Sequence, residues 1–328
     1  MVKNNISNKI LYWYDNNKRD LPWRKPKSKK QSQYYTLVSE IMLQQTQVNT
    51  VIPYFKNFIS QLPNFNKLSK VPDRKLLKMW EGLGYYSRAK NLRKSAKIIV
   101  NHFNNKLPDS FENLKKLPGV GDYTSKAILA LEFNKKVIPI DGNIERLIKR
   151  IFLLKNFDEI SKQNLIIKSS FFGESKRQRD YVQALMELGA LTCKPREPLC
   201  NSCPINNYCM SYKFKDFDLI KKIKKIKTKY FKANIYMQRD KMFLIKNKKF
   251  NFLKNHLIFP MIEIKELEYK SSLKKKTNIK ISNIDMKILI NKTNNIPPKK
   301  GIVIKSNNIS SEVLPSFTKK IFRLALSQ

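Results

Sequence analysis

The sequence predicts a mainly α-helical protein that ends in a smaller α+β domain. Three observations carry this reading. Apolar residues recur at helical spacing through the first 212 of the 328 residues, strand-like alternation begins only near residue 230, and the lysine-dense stretch KFKDFDLIKKIKKIKTKY lies between. The length suffices for two or three domains with cores of their own, and 41% hydrophobic residues is the content of an ordinary globular chain.

The N-terminal stretch MVKNNISNKILYWYDNNKRDLPW lacks an apolar run of signal-peptide length, and no later stretch approaches a membrane span, so the expectation is a cytosolic (cytoplasmic) protein with no membrane contact. In YYTLVSEIMLQQTQVNTVIPYF, the residues Leu37, Val38, Ile41, Met42 and Val48 share one side of a single helical wheel, with a proline following at position 53. Further helices are expected over DRKLLKMWEGL, SRAKNLRKSAKIIVNHF, YTSKAILALEF and NIERLIKRIFLL. In the last of these, Ile144, Leu147, Ile148 and Ile151 follow the i, i+3, i+4, i+7 pattern. After residue 213, YFKANIYMQRDKMFLIKNKKF reads as a hairpin with a Gln-Arg-Asp turn, KKGIVIKS as a strand and SFTKKIFRLAL as a closing helix, with a charged, extended linker before them.

Lys and Arg number 66 against 25 Asp and Glu, a formal net charge of +41 that points to a polyanionic partner. The excess is spread evenly. Residues 1–212 hold 37 basic against 17 acidic side chains and residues 213–328 hold 29 against 8, net +20 and +21, so charge alone singles out no binding face, and an AT-rich codon pool would also enrich Lys, Asn and Ile.

All four cysteines fall within CKPREPLCNSCPINNYC, spaced C-x6-C-x2-C-x5-C at Cys193, Cys200, Cys203 and Cys209. Disulfides need an oxidising compartment of which the sequence gives no sign. Zinc more often shows paired C-x2-C units or histidine ligands, and the two histidines, His102 and His256, are distant in sequence. Four thiolates around one compact loop favour one [4Fe-4S] cluster over zinc.

That spacing, downstream of LPGVG (117–121) and Asp141, resembles the helix-hairpin-helix DNA glycosylases that include endonuclease III and adenine DNA glycosylase. LPWR (21–24), SEIMLQQTQVNTVIPYF (39–55), GLGYYSRAKNL (82–92) and DGNIER (141–146) are similar to the adenine-specific, MutY-like branch. The likeness spans about residues 10–212 and fades beyond. It implies a helix-hairpin-helix glycosylase fold, with an iron-sulfur helical module at 1–27 plus 136–212 and a six-helix barrel module with the hairpin at 28–135. A basic linker at 213–229 and a degenerate Nudix-like α+β domain at 230–328 would follow.

Physical chemistry gives these motifs definite roles. In LPGVG, Gly119 and Gly121 allow positive φ and a bare backbone approach, and the N–H groups around Val120 beside a helix N-terminus suit a phosphate oxygen; an ordinary glycine C-cap is the plain alternative. Asp141 stands where a helix cap belongs. The resemblance makes it also the carboxylate that steadies an oxocarbenium-like sugar, with Asn143 orienting groups beside it. Glu40 sits at the edge of an apolar stripe, where a solvated glutamate is commonest; the resemblance makes it the acid that protonates the departing adenine.

Tyr123 occupies the position that is a lysine in the endonuclease III branch, where the amine forms a Schiff base and cleaves the strand. A phenol cannot form that imine, so the resemblance implies a monofunctional hydrolase, with Tyr123 as a buttress of the site. Lys126 lies about 60° away round the helix. Gln45 and Tyr85 match the wedge that fills the duplex when the base swings out, although Tyr85 could equally be a core aromatic beside Gly82 and Gly84. Leu21, Trp23 and Arg24 resemble the wall of the flipped-base pocket, with an unusually long KPKSKKQSQ between them and Glu40.

In the family the C-terminal domain reads the oxidised guanine opposite the adenine. Here the Nudix-type run of glutamates is missing, FLIKNKKFNFLKNHLIFP (243–260) is a worn version of the family's strand, loop and Phe-Pro segment, and the family's Phe-Ser-His reader aligns with Ile281, Ser282 and Asn283. The expected activity is excision of adenine mispaired with 8-oxoguanine or guanine in double-stranded DNA, by a monomer carrying one [4Fe-4S] cluster. Two rivals remain at this stage: a bifunctional endonuclease III-like glycosylase and AP lyase on damaged pyrimidines, and a DNA-binding protein that has lost its chemistry.

Overall fold

The computed structural model describes residues 2–156, 159–218, 226–281, 283–293, 295, 297, 301–306, 309 and 312–326, with side chains from residue 6. By contacts the chain divides into two units, Met1–Pro72 with Tyr85–Lys221, and Asp73–Gly84 with Lys222–Gln328.

The first unit is helical. In chain order it contains α1 (Val2–Asn17), α2 (Lys29–Leu43), α3 (Val48–Gln61) and α4 (Phe65–Lys70); α5 (Asp73–Met79) belongs to the second unit; then follow α6 (Ser87–His102), α7 (Phe111–Lys115), α8 (Asp122–Phe133), α9 (Gly142–Ile151), α10 (Lys162–Ser169), α11 (Gln178–Glu187) and α12 (Met210–Lys213). Side-chain caps start several of them: Ser28, Asn64, Ser110, Asp141 and Ser161 each accept a first-turn N–H.

One expectation is corrected. The segment taken as a single helix through Val48 is two, because Gln45 adopts a left-handed φ of 58° and ends α2, and Pro53 then lies inside α3 rather than after a helix. One cluster forms where Ile6, Ile10 and Tyr14 of α1 meet Ile144, Leu147, Ile148 and Ile151 of α9 and Tyr181, Ala184 and Leu185 of α11. Leu37, Val38 and Ile41 of α2 and Phe55 and Phe58 of α3 are fully buried too; each such side chain contributes about 1.5–3 kcal/mol of transfer free energy.

The second unit is built on a mixed sheet of β1 (Lys227–Gln238), β2 (Lys241–Lys246), β3 (Leu257–Ile258), β4 (Met261–Glu263), β5 (Lys276–Ile281), β6 (Ile284–Thr293) and β7 (Ile302–Lys305), with α13 (Glu266–Ser271) and α14 (Ser316–Leu326). The main path runs β3-β2-β1-β6-β5; β4 pairs with β1 and β7 with β2. The predicted hairpin is β1 and β2, turning at Arg239 and Asp240 with Gln238 opposite Lys241. β1 and β6 run parallel, and Phe231, Ile235, Met286 and Ile288 bury one face beneath Phe317 and Ile321 of α14. Within this unit Arg74 pairs with Glu312 and Lys319 with Glu81. Ile281 and Asn283 flank the β5–β6 turn, and Ser282 between them lies outside the described residues.

Candidate active site and cysteine loop

α2, α8 and α9 bring Glu40, Tyr123 and Asp141 together. The Tyr123 hydroxyl donates a hydrogen bond to the Glu40 carboxyl, and the charge of Asp141 acts on both. Glu40 is buried, not on a solvated face. Burial pushes its carboxyl up to about 7, with Asp141 adding to the rise while the Tyr123 hydrogen bond and the Arg24 cation oppose it. Tyr123 goes further up, through burial and the two carboxyls, and remains a neutral donor.

Asp141 caps α9 and supports the site with the same atoms. Its Oδ1 accepts from the N–H of Asn143 (3.0 Å) and of Ile144 (2.7 Å), and its Oδ2 accepts from the Asn143 amide (2.8 Å). Burial raises its carboxyl above the ordinary value, outweighing these bonds and the nearby Arg146 cation. A carboxylate held by fixed dipoles in a desolvated place is costly by itself and stabilises a cation strongly.

Asn143 is held in turn by Arg146, whose Nη2 donates to its Oδ1 (2.8 Å) and to the Gly189 carbonyl (2.6 Å), while Nε reaches the Cys193 carbonyl (2.7 Å). Gly189 lies in the π-helical turn Leu188–Thr192, which widens the end of α11 before Cys193. One turn further along α9, Arg150 is almost fully buried, with Nη1 3.3 Å from the Cys193 sulfur and 2.6 Å from the Lys194 carbonyl, and Nη2 3.0 Å from the Pro195 carbonyl. Sequence reasoning assigned no role to Arg146 or Arg150. Their signal was legible as helical spacing, since Asn143, Arg146 and Arg150 follow i, i+3, i+7 and share one face.

Cys193, Cys200, Cys203 and Cys209 line a single cavity with Arg150 and Leu147. Among the described residues no three His, Cys, Asp or Glu side chains converge tightly enough for one metal ion. Four cysteine sulfurs around one cavity are the all-sulfur donor set that an iron-sulfur cluster takes. Burial pushes the Cys203 thiol up to about 12 and also raises Cys200 and Cys209, so thiolates here require compensating positive charge of the kind that iron and Arg150 provide.

The hairpin between α7 and α8 carries Gly119, Val120 and Gly121. Gly119 has φ 85°, as expected; Gly121 does not share it, with φ −95° and ψ −174°, because it serves as the N-cap of α8. No atom lies within 4 Å of where a Gly121 Cβ would stand, so the backbone there is open to approach, while Val120 is buried and pins the turn. Lys115 and Lys162 pair with Asp122 and hold its exposed carboxyl down near 2.

Gln45 is exposed and Tyr85 is 50% exposed, which removes the reading of Tyr85 as a core aromatic. Both have left-handed φ, 58° and 45°. Leu21 and Trp23 are buried, with the Trp23 ring edge-on to Phe55 at 5.4 Å. Arg24 is tied by Nη2 to the fully buried Glu187 (2.8 Å), which also takes two bonds from Arg19 (2.7 and 2.9 Å). The ion-paired Glu187 carboxyl is held below its ordinary range: burial opposes this, and the two guanidiniums outweigh it.

Residues 38–168 match the HhH-GPD superfamily of base excision DNA repair proteins. The chain is 37% identical over 280 residues to the adenine DNA glycosylase of Buchnera aphidicola subsp. Schizaphis graminum, covering 84% of this chain and 80% of that protein. It is 36% identical over 211 residues to the adenine DNA glycosylase of Homo sapiens, covering 61% and 38%. Among solved structures it is similar to a thermostable thymine-DNA glycosylase (TM-score 0.56, 28% identity, 65% of this chain and 97% of that one). A trapped endonuclease III–DNA covalent intermediate shares the fold (TM-score 0.53, 20% identity, 66% and 99%).

Proposed function

The chain belongs to the adenine DNA glycosylase family of the HhH-GPD superfamily, and from that premise we propose a monofunctional hydrolase that removes adenine mispaired with 8-oxoguanine or guanine. The observation that carries this is the cluster of Glu40, Tyr123 and Asp141: one carboxyl poised near neutrality, one carboxylate fixed by a helix N-terminus, and a phenol where a Schiff-base amine would have to stand.

The chemistry follows from the two carboxyls. Glu40 gives its proton to the flipped adenine, and the electrons of the N-glycosidic bond leave with the neutral base. Asp141 faces the cationic sugar that results. Water then adds its oxygen to the anomeric carbon, the released proton restores Glu40, and the backbone stays intact. Gln45 and Tyr85 fill the space left in the duplex. Gly119, Val120 and Gly121 hold a phosphate, and Leu21, Trp23 and Arg24 line the base pocket. Cys193, Cys200, Cys203 and Cys209 would hold one [4Fe-4S] cluster, whose iron would neutralise the thiolates and cross-link the loop.

The partner is mismatched double-stranded DNA, bound by a monomer in the cytoplasm. Among the described residues no helix is long and apolar enough to cross a membrane. The Nudix-like domain lacks the aromatic and histidine at the aligned reader, so it favours 8-oxoguanine over guanine less sharply. The proposed module boundaries are 1–27 plus 136–212, 28–135, 213–229 and 230–328.

Single-turnover excision on A·8-oxoguanine and A·G duplexes tests the proposal, with Asp141→Asn as control. Asparagine still caps α9, so the variant is expected to fold and bind while excision drops by about 10³-fold. Borohydride trapping of wild-type protein on DNA, with excision of damaged pyrimidines, would instead establish the lyase alternative.

A further inference from the structure

We infer that Arg88 is the positioning residue that sets both halves of the base-flipping wedge. Arg88 lies in the first turn of α6 and is 7% exposed. Its Nη1 donates to the carbonyls of Ile41 (3.2 Å), Met42 (2.7 Å) and Gln44 (2.5 Å), the acceptors that α2 leaves open at its C-terminus. Its guanidinium also stands 5.7 Å from the centre of the Tyr85 ring. One cation therefore touches the residue before Gln45 and the side chain of Tyr85.

Both wedge residues need such support. Each is a non-glycine residue with left-handed φ, a conformation that L side chains adopt at a cost and that persists only where neighbours enforce it. Arg88 neutralises the negative end of α2 just where the chain must leave helical geometry at Gln45, and its plane gives the half-exposed Tyr85 ring a surface to rest on. The Gln44 amide adds a tether to the Gly119 carbonyl (3.1 Å), which links the wedge to the phosphate-holding hairpin. A rigid wedge contributes when the base leaves the stack, because side chains already ordered lose little entropy on insertion.

The inference rests on reading Gln45 and Tyr85 as the wedge, and the test separates the two. Single-turnover excision is measured for wild type, Arg88→Met, Arg88→Lys, Gln45→Ala and Tyr85→Ala on two duplexes. In one, the A·G mismatch is flanked by G·C pairs; in the other, a neighbouring pair is itself mismatched, so that opening is easier. Arg88→Met is expected to slow excision at least about tenfold on the stiff duplex and far less on the loosened one, in parallel with Tyr85→Ala. Arg88→Lys keeps the charge and donors for the carbonyls but loses the planar guanidinium that rests against the Tyr85 ring, so its loss is intermediate and has the same selectivity. That variant decides the matter should Arg88→Met fail to fold in a thermal melt.

Equal slowing on both duplexes by the Arg88 variants, with selective slowing by Tyr85→Ala, would overturn the inference and leave the wedge reading intact. A wild-type rate for Arg88→Lys would overturn it as well. Should Gln45→Ala and Tyr85→Ala themselves show no selectivity, the wedge reading falls and takes the inference with it.

Discussion

Tyr123 donates its hydroxyl hydrogen to the buried carboxyl of Glu40, and this bond lowers a pKa that burial raises. Such a bond favours the ionised form of its acceptor, so the tyrosine works against the proton that the proposed reaction needs. Its removal therefore has a definite sign. In Tyr123→Phe the Glu40 carboxyl should move above about 7, and the alkaline limb of the kcat profile should shift to higher pH even if the maximum rate falls. Single-turnover rates between pH 5 and 9 measure this, and an acid-ward shift would contradict the hydrogen-bond assignment.

The same burial makes Glu40 a stability cost at high pH. The folded state holds its proton up to about 7, whereas the ordinary value is 4.5. Between these values the native state binds more protons than the unfolded one, so stability present below 4.5 is lost as pH rises through the folded pKa. The full gap is worth about 3 kcal/mol. Glu40→Gln keeps the neutral shape and removes the titration. Its Tm should match wild type near pH 4.5 and exceed it by several degrees at pH 8, while excision is lost; equal melting temperatures at pH 8 would refute a buried, shifted Glu40.

Arg150 supplies a third expectation. Its guanidinium is buried against the Lys194 and Pro195 carbonyls and the Cys193 sulfur, and Met would leave those acceptors without donors. Each buried acceptor left unsatisfied costs about 1–3 kcal/mol. Iron and sulfide content per chain should fall in Arg150→Met, with a lower Tm. Full cluster content at an unchanged Tm would show that the loop is held by other means.

The local part of the candidate site was legible in the sequence, as with Asp141 at the N-cap of α9. Residues at fixed spacing, as in the cysteine loop and DGNIER, depend on local geometry, so the cap at Asp141 could be read directly. The predicted hairpin and closing helix were likewise local patterns. What escaped notice depends on tertiary approach. At the break at Gln45 the carbonyls of Ile41, Met42 and Gln44 accept from Arg88, which lies 43 positions downstream of Gln45, and the apolar stripe from Leu37 to Val48 gives no hint of it. Likewise no periodicity reveals that Gly189 must be small because Asn143 lies against it.

That contact supports a last prediction. A Cβ built on Gly189 would stand 2.6 Å from the Asn143 Cβ and 3.0 Å from its backbone carbon and oxygen. These are not the ends of a flexible side chain, so relief requires the start of α9 to move. Asn143 grips Asp141 through both its N–H and its amide, and a shift of a few tenths of an ångström re-aims the carboxylate. Misplacing a catalytic group by up to about 1 Å can cost about 10²-fold in rate. Gly189→Ala should therefore excise adenine about 10- to 100-fold more slowly, with mismatch affinity and iron content near wild type. Two other outcomes are informative: a wild-type rate would mean that the close approach is not maintained in solution, whereas loss of iron alongside the rate would place the damage in the cysteine loop, which the Gly189 carbonyl joins through Arg146.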